Sequence, residues 1–205
     1  KPFLTIPKSV TIPKSSSKSL DMSVKIPAGH GAGSYYSAII YSTGAPDGEG
    51  GNVGLAASGV TLAFVNIPGK VNEGLKLQKL GAYKDATPTN PKADYIFFTN
   101  DEPQKIGYTL KNEGNVVEAP SGTITVKNVF FGQQYDITNV NPTSSLALIG
   151  QTRTFTACIK LREDTIKLQG TPSQTKTCTN AGLWPGLYNV NLDMYYGQNG
   201  NITQE

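Results

Sequence analysis

Few residues in this chain have the type and the spacing that catalysis requires. His30 is the only histidine, and it lies in the glycine-rich stretch "AGHGAG". A Ser-His-Asp triad would need this histidine, but no Gly-x-Ser-x-Gly motif accompanies it. A turn histidine in solvent is the preferred interpretation. We therefore predict that the protein is not an enzyme and has no catalytic residues.

Metal-binding residues are equally sparse. Asp47, Glu49 and Asn52 in "GAPDGEGGN" offer oxygen atoms of the kind that Ca²⁺ binds. Their spacing matches no known calcium loop, so a hairpin loop is the favoured interpretation. No group of His and Cys residues suits zinc. The sequence predicts neither a metal nor a cofactor.

The two cysteines, Cys158 and Cys178, allow a sharper prediction. An even number of cysteines in a strand-rich, turn-rich chain favours a disulfide and an extracytoplasmic location, although two reduced thiols are the alternative. In "TRTFTACIKL" the apolar side chains alternate, at Phe155, Ala157, Ile159 and Leu161. Cys158 should therefore point away from the core. We expect a disulfide on the outer face that closes the insertion near residues 158–178.

Composition narrows the class of protein. Gly and Pro are abundant, charged residues are few, and the net charge is only +3. Because arginine occurs only at Arg153 and Arg162, nucleic acid is a poor candidate for a partner. No run of about 20 apolar residues is present. The chain starts at Lys1, and both ends are expected to be cut from a longer polypeptide, so a membrane anchor would lie outside this chain.

Alternating hydrophobicity predicts an all-β protein. In "LDMSVKI" the apolar residues Leu20, Met22, Val24 and Ile26 share one face, which is typical of a half-buried strand. Five strands at most precede the boundary at Pro68-Gly69, and seven follow it. Seven short strands at regular spacing suit an immunoglobulin-like sandwich. We predict two tandem immunoglobulin-like β-sandwich modules, 1–68 and 69–205, of which the first is incomplete.

A long-range repeat supports the two modules. "GSYYSAIIYSTG" from Gly33 and "GLYNVNLDMYYG" from Gly186 share a Gly, a Tyr two positions later and a closing Gly. In sandwiches such a tyrosine often makes a corner. Two unrelated hairpins are the alternative. The strands that the first module lacks are expected either upstream, outside this chain, or from a partner chain by strand addition.

The stretch "SVTIPKSSSKSLDMSVKIPAG", followed by "GSYYSAIIYSTG", resembles the immunoglobulin-like domains of bacterial cell-surface proteins. These include the surface proteins that accompany WxL-type wall-binding proteins. The resemblance covers roughly residues 3–68, and "YTLKNEGN" and "WPGLYNVNLDMYYG" extend it into the second half. It implies sandwich strands on a cell surface, and it carries over no site residue.

These observations lead to an expected function. We expect an extracellular structural or adhesive surface protein that assembles with itself or with a protein partner through sheet edges. A carbohydrate- or cell-wall-binding module is the alternative, which predicts a strip of exposed aromatic rings. The candidate rings are Tyr35, Tyr41, Trp184, Tyr195 and Tyr196.

Overall fold

The fold is known from a computed structural model, which describes residues 4–27, 29–43, 57–88, 92–168, 171–197 and 202–204. Within these ranges the secondary structure consists of strands, without a helix. The prediction of an all-β protein is confirmed. No described segment forms a helix of the length and hydropathy needed to cross a bilayer.

Two four-stranded antiparallel sheets build the larger part of the molecule. The first has the order β10-β7-β5-β6, with strands Thr152–Cys158, Lys105–Asn112, Leu75–Lys84 and Asp94–Tyr95. The second has the order β14-β13-β8-β9, with strands Ile202–Gln204, Tyr188–Tyr196, Ser121–Asn128 and Gln134–Ile137. We call this unit the sandwich.

The core lies between these two sheets, because each strand turns every second side chain inward. Tyr108 and Leu110 of β7 are fully buried, as is Ile124 of β8. The rings of Tyr108 and Phe155 stack with centroids 5.2 Å apart. The Tyr108 hydroxyl donates a hydrogen bond to the carbonyl of Val140 at 3.1 Å, and burial raises the pKa of this phenol. The polar group therefore enters the core with its donor satisfied.

A disulfide-bonded hairpin follows the sandwich strand β10. Strands β11 (Lys160–Leu168) and β12 (Thr171–Thr179) pair antiparallel, and Cys158 is bonded to Cys178 at their base. Ala157 and Ile159 are buried on either side of Cys158, so the predicted disulfide and its place off the core face are confirmed. The predicted inward position of Leu161 is wrong, because β10 ends before it and Leu161 is exposed in the hairpin.

The first part of the chain forms two separate β-pairs. Strands β1 (Leu4–Thr5) and β2 (Ser23–Val24) make a two-residue pairing. Strands β3 (Gly33–Ser42) and β4 (Ser58–Ile67) pair over ten residues, and we call this pair the ribbon. The buried hydrophobic cluster of the described residues begins at Leu75, so these early strands contribute nothing to it.

Asn115 joins the ribbon to the sandwich. Its carbonyl accepts a hydrogen bond from the backbone N–H of Ser34 at 3.0 Å. Its side-chain amide donates to the carbonyls of Ala32 and Lys70, at 3.0 and 3.2 Å. One side chain after β7 thus fixes both the entry into the ribbon and the exit from it.

The prediction of a half-buried strand over residues 20–26 is wrong. Strand geometry is limited to Ser23–Val24, and Leu20, Met22, Val24 and Ile26 are all exposed, by 53%, 48%, 42% and 43%. The alternation is present, but no described part of the chain covers its apolar side.

Candidate functional site

The outer face of the ribbon is an exposed apolar surface. Directly paired residues on antiparallel strands point to the same side, and the pairs Tyr36–Phe64, Ala38–Leu62 and Ile40–Val60 follow one another. All six side chains are exposed, and Ile40 reaches 74%. We define the outer face of the ribbon by these residues: Tyr36, Ala38, Ile40, Val60, Leu62 and Phe64.

Neither ribbon strand contains a charged residue, although the chain carries 18 Lys and Arg and 15 Asp and Glu. Proteins usually protect exposed strands against unwanted pairing with Lys, Pro or a bulge. The ribbon has none of these within β3 and β4. A long, uncharged, apolar two-stranded surface has the properties of an interaction surface.

The start of β3 has a structural counterpart at the start of β13. Gly33 and Gly186 adopt φ angles of 140° and 148°, which a residue with a Cβ rarely adopts. Two residues on, Tyr35 donates from its hydroxyl to the carbonyl of Gly31 at 2.9 Å. Tyr188 donates likewise to the carbonyl of Trp184 at 2.7 Å. The repeat in the sequence therefore corresponds to the same local geometry at two places.

This correspondence assigns the two faces of β3. In β13, Leu192 and Met194 point into the core, and the alternate residues Asn189, Asn191 and Asp193 are exposed. Counting from the two glycines, these three polar residues correspond to Tyr36, Ala38 and Ile40. The outer face of the ribbon therefore corresponds to the face of β13 that is polar and exposed to solvent. Its apolar character is not explained by packing against any described part of the chain.

The edges of β3 and β13 differ. Strand β13 lies between β8 and β14, whereas β3 pairs only with β4 among the described strands. Beyond the bond between Ser34 and Asn115 at its start, the other edge of β3 has no backbone partner from Tyr36 to Ser42 in the described residues. We call this the free edge of β3. It offers N–H and C=O groups to an additional strand.

A second exposed apolar group lies at one end of the sandwich. Phe130 and Phe131 are exposed by 70% and 62%, and Trp184 by 54%. The rings of Phe131 and Trp184 are 5.7 Å apart and inclined by 66°. Buried Asn128 accepts hydrogen bonds from the N–H groups of Phe130 and Phe131, which holds the turn. Gln133 accepts from the N–H of Trp184 at 2.9 Å.

Glu102 holds the same end together. Its Oε1 accepts three successive backbone N–H groups, from Ala181, Gly182 and Leu183, at 2.6, 2.8 and 3.1 Å. The loop before Glu102 presents Phe97 and Phe98, which are 88% and 85% exposed. Aromatic rings from separate loops are thus carried on backbone that polar side chains fix in place.

The two Phe-Phe pairs, 97–98 and 130–131, were not predicted as site residues. The alternation predicted strands over "YIFFT" and "NVFFG", but β6 ends at Tyr95 and β8 ends at Asn128. A usable signal was present, since each Phe-Phe pair adjoins turn-forming residues, "TND" and "GQQ".

The five predicted aromatic rings do not form one strip. Tyr35 and Tyr41 share the inner face of the ribbon, the side opposite the outer face, and Tyr41 is 58% exposed. Trp184 lies at the aromatic end of the sandwich. Tyr195 is 43% exposed on β13, whereas Tyr196 alternates inward and is 8% exposed. Trp184 lies beside the exposed ring of Phe131, and Tyr35 lies beside the ring of exposed His30.

His30 is exposed, and its Nδ1 lies 3.0 Å from the Tyr35 hydroxyl. Its neighbours thus belong to the start of β3. Asp47, Glu49 and Asn52, which were considered as calcium ligands, lie outside the described residues. Within the described ranges, no group of three or more His, Cys, Asp or Glu residues is placed to hold a metal ion.

A buried carboxyl group lies at the junction of ribbon and sandwich. Glu118 is 4% exposed and lines a cavity of about 550 Å³ together with Ser34 and Asn66. Its Oε2 accepts a hydrogen bond from the N–H of Gly197 at 3.0 Å, and Oε1 is buried without a hydrogen-bond partner among the described residues. Burial raises the pKa of this carboxyl group, and the bond from Gly197 opposes the shift.

Comparison with known proteins gives no relative: no family model, no curated protein and no solved structure matches the chain.

Proposed function

We propose that the chain is an extracellular structural or adhesive protein of a bacterial cell surface, built from two immunoglobulin-like modules of which the first is incomplete. The matching geometry at Tyr35 and Tyr188 supports two related modules. The Cys158–Cys178 disulfide supports an oxidising, extracytoplasmic location. The expected family of surface proteins, and a boundary near residue 68, belong to the same proposal.

The observation that carries this proposal is the free edge of β3. The counterpart strand β13 has a neighbour on each side, and β3 has one among the described strands. An isolated two-stranded sheet is only marginally stable in water. A third strand at this edge would supply backbone hydrogen bonds and a larger sheet. The protein would then act by strand addition, a known mode of recognition between chains.

Residues 20–26 are the segment of the chain best suited to that edge. Leu20, Met22, Val24 and Ile26 alternate with polar residues and are exposed. In assembly, this segment of one molecule adds to β3 of the next, with its aliphatic side chains on the inner face beside Tyr35 and Ile39. Strands from upstream in the same polypeptide are the alternative source.

Sedimentation velocity over a concentration series tests the proposal. The wild-type chain should form larger species as concentration rises. A variant with both Met22→Lys and Val24→Lys should form smaller species than the wild-type chain at the same concentration, because the two charges would be buried. Ser23→Lys on the opposite side of the same segment is the matched control and should assemble. Equal sedimentation of all three proteins at every concentration would refute sheet-edge assembly.

Binding of a cell-wall glycan is the second candidate function. It is favoured by the exposed Trp184 beside Phe131, because aromatic faces stack on the apolar sides of sugar rings. The fixed backbone around Glu102 and Gln133 would hold the rings without further ordering.

Affinity electrophoresis in gels containing purified cell-wall polysaccharide tests this second function. The wild-type chain should be retarded, and Trp184→Ala should migrate freely. Tyr195→Ala, which removes an exposed ring elsewhere, is the control and should remain retarded. Unchanged migration of the wild-type chain in every glycan gel would eliminate this candidate.

A further inference from the structure

We propose that the outer face of the ribbon is the contact surface of a homodimer, in which the ribbons of two copies pack face to face. This contact is separate from strand addition at the free edge of β3 and does not depend on it. The occupant of the face is a second copy of the same chain.

The absence of charge on the face favours a second copy. In a two-fold dimer the same patch meets itself, so an apolar patch meets an apolar patch. The six residues of the outer face are all apolar or aromatic, and β3 and β4 contain no Asp, Glu, Lys or Arg. A patch made for a charged partner would carry complementary charges. This patch is compatible with its own copy.

The arrangement of the face resembles half of an interface. The apolar pairs occupy the centre, and polar pairs close both ends. At the sandwich end, the Ser34 hydroxyl donates to the side-chain oxygen of Asn66 at 2.7 Å. At the other end, Ser42 lies opposite Ser58. An apolar centre with a polar rim is the usual anatomy of protein contacts.

The exposed area is sufficient for a weak dimer. Exposure is 74% for Ile40, 60% for Leu62 and 59% for Val60, and 43% and 44% for Tyr36 and Phe64. These side chains offer roughly 500 Å² of apolar surface per copy, and Ile40 is the most exposed of them. A standard interface buries about 800 Å² per partner. The face is smaller than that, so weak association, with a dissociation constant in the micromolar range or above, is expected.

The shape of the face indicates the packing. The smallest side chain, Ala38, lies directly opposite the larger Leu62 at the centre. A two-fold axis that runs along the ribbon, between the strands, would place β3 of one copy over β4 of the other. Each Leu62 would then lie above the Ala38 of its partner copy, so a protruding side chain meets a depression.

The test uses the full chain carrying Met22→Lys and Val24→Lys, so that edge addition is already removed. Sedimentation equilibrium of this chain should still show a monomer–dimer equilibrium. Adding Leu62→Lys should raise the dissociation constant at least tenfold, because two unpaired charges enter the interface. Thr61→Lys, the neighbour on the inner face, should change it less than about twofold.

A swap tests the packing itself. Ala38→Leu alone and Leu62→Ala alone should each weaken the dimer, and the double variant should restore it to within a few-fold of the starting chain. A chain that stays monomeric up to about 1 mM overturns the proposal. So does an equal effect of Leu62→Lys and Thr61→Lys. Far-ultraviolet circular dichroism and thermal unfolding of each variant confirm that the sandwich is intact.

Discussion

Tyr35 and Tyr188 make the same hydrogen bond at the start of two strands that are 153 positions apart along the chain. Each ring hydroxyl donates to the carbonyl four residues earlier, after a glycine with a φ angle near 140–150°. The two strands then differ in their outward residues. Those of β13 are polar, and those of β3 are apolar. Because of this difference, β3 contributes to a candidate contact surface, whereas β13 does not.

The hydrogen bonds of Tyr188 at the start of β13 can be tested by removing its hydroxyl group. Tyr188→Phe loses the bond to Trp184 and a second bond to Gln133 at 3.0 Å. We expect a loss of about 1 kcal/mol in the free energy of unfolding, the usual value for such a hydrogen bond. Urea unfolding followed by tryptophan fluorescence measures it at the affected site. Tyr35→Phe should change this transition much less, because Tyr35 lies outside the sandwich core.

Glu102 should stabilise the aromatic end of the sandwich. Glu102→Ala leaves the N–H groups of Ala181, Gly182 and Leu183 without their acceptor, which should cost about 1–3 kcal/mol. Glu102→Gln retains an oxygen acceptor and should cost less. Thermal unfolding of both variants gives the order of their stabilities, and substitution of exposed Asp101 by Ala is the control. Equal stability of Glu102→Ala and Asp101→Ala would show that the three bonds contribute little.

The disulfide should stabilise the chain without shaping the core. Cys158 and Cys178 are 20 positions apart, and closing a loop of that size is worth about 3 kcal/mol in the chain-entropy model. A variant with both Cys158→Ser and Cys178→Ser should unfold at correspondingly lower urea and be cleaved sooner in the hairpin. Reducing agent should reproduce this result in the wild-type chain and leave the variant unchanged. A wild-type chain insensitive to reductant would contradict the prediction.

Glu118 should make stability dependent on pH. Burial raises its pKa in the folded state above that of the unfolded chain. The folded state therefore binds the proton more tightly, and the associated stability is complete below the usual pKa of Glu. It is lost as pH rises through the raised value.

The substitution Glu118→Gln removes the loss of stability that accompanies rising pH. The variant should gain stability relative to the wild-type chain on going from about pH 4 to about pH 8, as measured by urea unfolding at both values. Glu113→Gln, an exposed site on the same connection, is the control. A constant difference between wild-type chain and Glu118→Gln at both pH values would argue against the shift.

Local patterns predicted much of the fold, because alternation and turn residues act over a few positions. They located β3, β7, β8, β10 and β13, and they placed Cys158 on the side away from Ala157. They failed where the result depends on what covers a strand. Residues 20–26 have the alternation of a half-buried strand, but alternation cannot show whether a second layer is present.

The candidate surfaces were predicted less well for a related reason. The sequence suggested an edge contact, but the outer face of the ribbon depends on which residues pair across β3 and β4. That register sets Ala38 opposite Leu62 and gathers six apolar side chains on one side. Similarly, Trp184 was predicted, but its neighbour Phe131 comes from a turn 53 positions earlier, which only the folded chain brings near.

Hydrogen–deuterium exchange of β3 at two protein concentrations tests the central claim most directly. Backbone N–H groups alternate between the two edges of a strand, and those of Tyr36, Ala38, Ile40 and Ser42 point to the free edge of β3. If this edge receives a strand from another molecule, these four amides should exchange more slowly in concentrated solution than in dilute solution. Amides of β7 and β8, which are paired on both sides within the sandwich, should exchange equally in the two solutions. Exchange of the four edge amides that is the same at both concentrations would contradict assembly through this edge.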